Sequence, residues 1–331
     1  MTESPNPRHR VRGNVLPEHP RVAVLIPCLN EELTVGSVVR DFRRELPEAE
    51  MWVVDNGSTD RTTLVAAEAG AHIIREPRGG KGFALRAAFR DIEADVYVLV
   101  DGDGQLPAES VHDVMRPVLE GRADMVVGSR ALAGRTSHKI VNNIGNIVFS
   151  RLLRTLLSVH VTDVLSGYRA MSRMLVKTLP LASRNFEIEV ELTIKTTQRS
   201  YRIVEVPFEV RPRPAQTRPH LRVVRDGARI AWAILLLFRD YRPMAFFGSL
   251  GALLLALAAL LFQFSSGAGR VWFLSSDTLA TLVAISGLLS VTAGSVVSVL
   301  GRRFQELEGK VDMVTTAALF EDIPPQPRTD V

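Results

Sequence analysis

Residues 96 to 107 read VYVLVDGDGQLP, a β-branched apolar run that ends on two aspartates, Asp101 and Asp103, with one glycine between them. An uninterrupted apolar run of this length, closed by Gly and Pro, predicts a strand covered on both faces, as parallel sheets require. Similar runs recur on either side: VAVLIP (22–27), MWVVD (51–55), HIIRE (72–76) and DMVVGS (124–129), separated by segments of helical periodicity. This alternation predicts a doubly wound α/β fold with a mostly parallel sheet. Ligands of such sheets bind beyond the carboxyl ends of the strands. The polar residues at those ends, Asn30 and Glu31, Asp55 and Asn56, Asp101 and Asp103, and Ser129 and Arg130, are therefore expected to converge on one crevice.

Residue type suggests what the crevice could hold. Asp101 and Asp103 offer oxygens to a hard cation, Mg²⁺ or Mn²⁺, with Gln105 as a further ligand. A solvated Asp/Gly turn is an equal reading of DGDG alone. An EF-hand is excluded, because Val111 and His112 stand where its closing Glu belongs, and no Walker A motif is present. GGKG at 79–82, opening a helix, offers backbone N–H groups and Lys81 to a diphosphate or ribose. His72, His112, His138 and His160 lack metal-ligand spacing and read as surface or strand-edge residues.

The whole chain has 331 residues, 46% hydrophobic and 23% charged, with a formal net charge of +4. These values exclude disorder, collagen or coiled coil as the main theme and give no sign of a nucleic-acid partner. A lone cysteine, Cys28, excludes a disulfide framework and fits a reducing compartment. The distribution is less ordinary than the averages. Residues 244–264 and 278–300 carry no charge over 21 and 23 positions, and about 20 apolar residues cross a bilayer as a helix. Arg239, Arg242, Arg302 and Arg303 flank the outer ends, so the positive-inside rule predicts a hairpin with both termini cytoplasmic. Between Arg199 and Arg242 stand ten Arg, no Lys and four acids, a net of +6. There Leu221, Val224, Ala228, Trp232, Leu235 and Phe238 share a helical face, beside Arg222, Arg225 and Arg229, which predicts an interfacial helix on anionic lipid. Residues 140–157 carry a polar stripe of Asn143, Asn146, Ser150 and Arg154; an interfacial helix and a plain amphipathic surface helix fit it equally well.

Eight stretches in order, IPCLNEE (26–32), VVDNGSTD (53–60), GGKGFAL (79–85), LVDGDGQLP (99–107), VVGSR (126–130), TDVLSGYRAMSR (162–173), NFEIEVEL (185–192) and RIVEVPFEVRPR (202–213), closely resemble family 2 of the glycosyltransferases. The resemblance is strongest to the dolichyl-phosphate mannosyltransferase and bacterial polyprenyl-phosphate subgroup. It implies a GT-A domain that binds a nucleotide sugar, UDP- or GDP-linked. By the same resemblance Pro27, Leu29, Glu31, Val54, Asp55, Asn56 and Lys81 belong to the nucleotide-sugar site. Asp101, Gly102, Asp103 and Gln105 would meet the diphosphate and its metal. Arg130 would face the lipid phosphate, joined by Asn146 and Arg218; Arg213 would close over donor and acceptor, and Asp163 would lie beside the sugar. Asn56 stands where many members have a second Asp, and PAQTRPHL (214–221) replaces a common Gly-Glu-Ser-Lys-Leu, leaving donor identity and acceptor contacts open.

The expected organisation is a flexible tail (1–20), a catalytic domain (21–220), a juxtamembrane amphipathic helix (221–242), a two-helix hairpin (243–300) and a cytoplasmic tail (301–331). The expected activity is transfer of a hexose or N-acetylhexosamine to polyprenyl phosphate at the cell membrane, with self-association left open. A same-fold transferase with another lipid or glycan acceptor and a non-catalytic membrane scaffold are the competing readings. The scaffold has no physical need for Asp101, Asp103, Gln105, Asp163 and Arg130 together.

Overall fold

The computed structural model describes residues 16–133, 140–212, 223–265 and 276–321. Five strands appear where the apolar runs predict them: β1 (Val22–Cys28), β2 (Glu50–Asp55), β3 (His72–Arg75), β4 (Val96–Leu99) and β5 (Met125–Ser129). Two more, β6 (Arg169–Ser172) and β7 (Ile203–Pro207), complete a seven-stranded sheet of order β3-β2-β1-β4-β6-β5-β7. All pairings are parallel except those of β6, which runs antiparallel to both β4 and β5. β6 is only four residues long, too short for a periodic signal.

The helices α1 (Val35–Glu45), α2 (Thr62–Glu68), α3 (Lys81–Asp91), α4 (Val111–Leu119), α5 (Ile140–Leu157), α6 (Arg173–Thr178) and α7 (Glu187–Gln198) occupy the connections. In α1, Val35, Val38, Val39 and Phe42 recur at helical spacing and are buried, the pattern of a helix laid on a sheet. Their core continues through Val24, Ile26, Val53, Val98 and Val126 to Tyr168 and Phe208. Tyr168 meets Phe42 and Phe208 edge-on, at 6.1 and 5.3 Å between ring centroids. Its hydroxyl donates to the Pro107 carbonyl at 3.1 Å, so the core fastens the loop that leaves β4. β4 stops at Leu99, which puts Asp101 and Asp103 on that loop rather than on the strand.

Helix α8 (Val223–Tyr241) realises the amphipathic segment. Asp226, Ile230 and Ile234 are buried, whereas Val224 and Trp232 are exposed. Leu221 and Arg222 lie outside the described residues. Beyond α8, α9 (Pro243–Ser265) and α10 (Ser276–Glu321) pack against each other. Two stretches, Pro243–Gln263 and Asp277–Gly301, are long and apolar enough to cross a membrane. Gly287 lets the helices approach: a Cβ there would stand 2.9 Å from Leu255 Cγ and 3.0 Å from the Gly251 carbonyl. The Ser290 hydroxyl closes the seam by donating to the Phe247 carbonyl at 2.9 Å. Residues 301–321, expected as part of a tail, continue α10 as helix, so the element runs 46 residues, about 69 Å.

Candidate active site

Four strand ends carry the polar residues. After β1, Asn30 adopts φ 54°, a left-handed conformation Asn tolerates better than most residues. Its side-chain Oδ1 accepts the Thr59 N–H at 2.8 Å, and its backbone N–H donates to the Ser58 hydroxyl at 2.9 Å. Glu31 follows, buried, with its N–H on the Thr62 hydroxyl at 2.8 Å. The loops after β1 and β2 are thereby bonded into one wall. Pro27 and Leu29 are half-buried and Val54 is buried along it. Asp55 and Asn56 are buried at the end of β2, where Asn56 Oδ1 accepts the Gly80 N–H at 3.1 Å. Gly80 adopts φ 132°, and a Cβ there would collide with the Arg184 carbonyl, so only glycine serves this turn.

Lys81 does not present a free ammonium. Its Nζ lies 2.5 Å from both Asp101 Oδ1 and Glu189 Oε1, with the lysine and Glu189 side chains 9% and 6% exposed. Burial pulls the ammonium pKa down, but Asp101 and Glu189 outweigh it and hold it above the ordinary lysine range. Burial pushes the Glu189 carboxyl up. Asp103 Oδ1 accepts the Gln105 N–H at 3.1 Å. Gly167 passes so close to Asp101 that any Cβ there would strike its carboxylate.

The donor set suits a divalent ion shared with a ligand. Burial, then Glu31, Asp55, Asp101 and Asp103 in that order, drive the Cys28 thiol pKa upward. Of these carboxylates, Asp101 is bonded to Lys81. Among the described residues no three His, Cys, Asp or Glu side chains are gathered tightly enough to hold a metal unaided. Asp101 and Asp103 fit the pattern in which one or two carboxylates bind Mg²⁺ and substrate phosphates complete the shell.

At the end of β5, Arg130 and Asp163 form a fork. Asp163, fully buried, accepts Arg130 Nε and Nη2 at 2.7 Å each and the Arg130 backbone N–H at 3.0 Å. Burial would lower the guanidinium pKa, but bonding to Asp163 raises it, so the cation is secure. Asn146, expected at a lipid phosphate, is buried: Nδ2 donates to the Thr162 carbonyl at 2.9 Å, and Oδ1 is 3.5 Å from the Leu165 N–H. Ser150 reaches the same carbonyl at 3.2 Å. Arg213 and Arg218 lie outside the described residues, as does His138. The structure thus brings together the residues of the first five polar motifs and Asp163.

Two further residues border the site without having drawn attention in sequence. Arg169 is completely buried and donates to the Ser166 carbonyl (3.0 Å), the Val164 carbonyl (2.9 Å) and the Thr193 hydroxyl (2.8 Å). Glu205 accepts from Thr162 and Asp163. Arg169 opens the fully buried strand β6, where an ionisable residue was the available signal, whereas Glu205 sits in the half-buried edge strand β7, where a charge is unremarkable.

The profile of Glycosyl transferase family 2 matches residues 23–179. A Haloferax volcanii protein, glycosyltransferase AglJ, is 34% identical over 238 residues, covering 71% of this chain and 78% of that protein. The dolichyl-phosphate hexose transferase of the same organism is 34% identical over 215 residues, 65% of this chain and 92% of its own. Among solved structures, glucosyl-3-phosphoglycerate synthase from Mycobacterium tuberculosis, in complex with Mn²⁺, UDP-glucose and phosphoglyceric acid, superposes with a TM-score of 0.57 at 26% identity. The match covers 66% of this chain and 80% of that one. The sheet is a GT-A sheet, and the chain belongs to family 2 of the glycosyltransferases.

Proposed function

We propose that this glycosyltransferase moves a hexose or N-acetylhexosamine from a nucleoside diphosphate sugar to polyprenyl phosphate at a membrane surface. The observation that carries this reading is the Arg130–Asp163 fork. Asp163 occupies Nε and Nη2 of a side chain that remains 42% exposed, so the rest of the guanidinium is oriented toward an incoming anion. Arginine with an anchored edge suits a phosphate. The dolichyl-phosphate hexose transferase at 34% identity has an acceptor of this class in its name. The two apolar helices supply an anchor, and the Arg-rich segment 199–242 suits an anionic surface.

The chemistry needs little proton transfer. A phosphate monoester has a second pKa near ~6, so at neutral pH the acceptor is already a dianionic nucleophile. One of its oxygens bonds to the anomeric carbon as the bond from that carbon to the diphosphate breaks, releasing the nucleoside diphosphate in a single inverting displacement. Asp163, buried and doubly bonded to Arg130, serves as the residue that aims Arg130 and is not a base. Glu31, Asp55 and Asn56, with Pro27, Leu29 and Val54, form the nucleotide wall. Asp101 and Asp103, with Gln105 and the close backbone of Gly102, would hold Mg²⁺ or Mn²⁺. Once bound, the ion neutralises charge on the leaving diphosphate. Lys81, bonded to Asp101, is placed to turn toward that diphosphate. Arg213 and Arg218 would complete charge neutralisation around the acceptor. The division into catalytic domain, juxtamembrane helix and membrane hairpin, with both termini cytoplasmic, is part of this proposal.

The test is a donor panel. Membranes containing the protein receive UDP-glucose, UDP-GlcNAc or GDP-mannose, each labelled, with polyprenyl phosphate and Mg²⁺ or Mn²⁺. Label should enter an acid-labile lipid with one donor, and chelation should stop it. Asp103→Ala should lower transfer at least about 100-fold, the scale of a lost electrostatic contact to developing charge. Full activity in Asp103→Ala would refute the metal assignment. No transfer to polyprenyl phosphate from any donor would refute the acceptor.

A further inference from the structure

Arg130 can be aimed only if Asp163 is itself held, and the support for Asp163 comes from β7. Thr162 and Asp163 turn their consecutive N–H groups toward one carboxylate, that of Glu205. The Thr162 N–H lies 2.9 Å from both carboxylate oxygens, the Thr162 hydroxyl donates to Oε1 at 2.8 Å, and the Asp163 N–H donates to Oε1 at 3.1 Å. Glu205 occupies β7 in parallel register with Val127, two residues before Ser129, after which Arg130 leaves β5. Its strand neighbours Val204 and Val206 pack on the hydrophobic core, so alternation along the strand sends Glu205 to the opposite face, where the turn lies. One side chain thus ties together the two backbone segments that carry the fork.

We propose that Glu205 is a positioning residue for acceptor use: it fixes the Thr162–Asp163 turn so that Asp163 directs the Arg130 guanidinium. This rests on the assignment of Arg130 to an acceptor phosphate. Two N–H groups and a hydroxyl of the turn converge on this side chain, which suits an acceptor-only carboxylate. Glutamine would retain one accepting oxygen and set an NH2 group against an N–H, and charge-assisted bonds are about twice as strong as neutral ones. Charge also matters nearby. The buried guanidinium of Arg169 has its pKa lowered by burial and, among the described residues, bonds no carboxylate, while Glu189, Asp163, Asp101 and Glu205 support it through space. Removing the Glu205 charge withdraws one of these supports while leaving the nucleotide wall of β1 and β2 untouched.

The experiment compares wild type with Glu205→Gln and Glu205→Asp in three measurements. In steady-state transfer, Glu205→Gln should lose at least about tenfold in kcat/KM for polyprenyl phosphate, while equilibrium binding of the nucleotide sugar changes less than about twofold. Glu205→Asp, which keeps the charge, should recover part of the loss. In the second measurement, phenylglyoxal labelling of Arg130, followed by peptide mass spectrometry without any acceptor, should run several-fold faster in Glu205→Gln because the fork is loosened. Thermal unfolding is the third. Equal loss of donor binding and acceptor use with a lowered Tm would mean that Glu205 only supports the fold, and would overturn the proposal. Unchanged Arg130 labelling would overturn it as well, whatever the acceptor proves to be. Faster labelling in a protein whose wild type ignores polyprenyl phosphate would uphold the positioning role and reject the acceptor class instead.

Discussion

Replacing Lys81 by methionine removes the only cation in contact with Glu189 among the described residues while keeping most of the apolar stem. Asp101, with a side chain 35% exposed, can recover solvation, but Glu189 at 6% cannot. Breaking a buried pair by deleting one partner costs about 3–5 kcal/mol. Taking the lower figure, a unit of this size should melt about 6–12 °C lower. The sign of the pH dependence follows from Glu189. Burial already raises its folded pKa, and loss of Lys81 raises it further above the unfolded value near ~4.3. Below that value both states are protonated and the substitution costs little. At higher pH the unfolded chain releases a proton that the folded chain must retain, so stability falls as pH rises. Differential scanning fluorimetry of detergent-solubilised protein should show the Tm deficit of Lys81→Met growing between pH 5 and pH 8. Glu189→Gln in the same background should remove that slope. A variant melting within about 2 °C of wild type at pH 8, or a deficit independent of pH, would refute the buried-pair argument.

Arg130→Lys keeps the charge but cannot grip both oxygens of Asp163. A hydrogen bond to a charged group contributes about 1.5–3 kcal/mol, so transfer should fall about 10- to 100-fold with nucleotide-sugar binding unchanged, measured by initial rates and equilibrium binding. Gly287→Leu should force α9 and α10 apart, since even a Cβ there meets Leu255 at 2.9 Å and the Gly251 carbonyl at 3.0 Å. The variant should melt several degrees below wild type in detergent, read by differential scanning fluorimetry, and an unchanged Tm would refute the close packing of this seam.

Local chemistry made part of this molecule legible in advance. The five apolar runs became β1 to β5 because buried parallel strands need unbroken β-branched stretches. The polar residues at their ends reached one crevice because parallel strands share a carboxyl edge. The two uncharged stretches became helices because length and composition alone set that preference. β6 escaped notice because RAMS carries no period, and its reversed direction follows from tertiary pairing with β4 and β5. The helical continuation from 301 to 321 was also missed, because charge and polarity there resemble a tail.

Residue partners were less legible than residue positions. Lys81, read as offered to a diphosphate or ribose, is bonded to Asp101 and to Glu189, the latter 108 positions away. Asn146, read as a phosphate contact on a polar stripe, spends its amide on the Thr162–Leu165 turn. Asp163 stood out as an acid in TDVLSGYR, but its engagement with Arg130 and dependence on Glu205 require β5, β7 and the turn to meet in space. Sequence by itself determined the strand pattern, the acid-ended crevice, the family and the apolar hairpin, since each depends on residue type and short-range period. Only tertiary structure decided which charges are already paired, because a carboxylate 20, 33 or 108 residues away becomes a neighbour through the strand order, which no local pattern encodes.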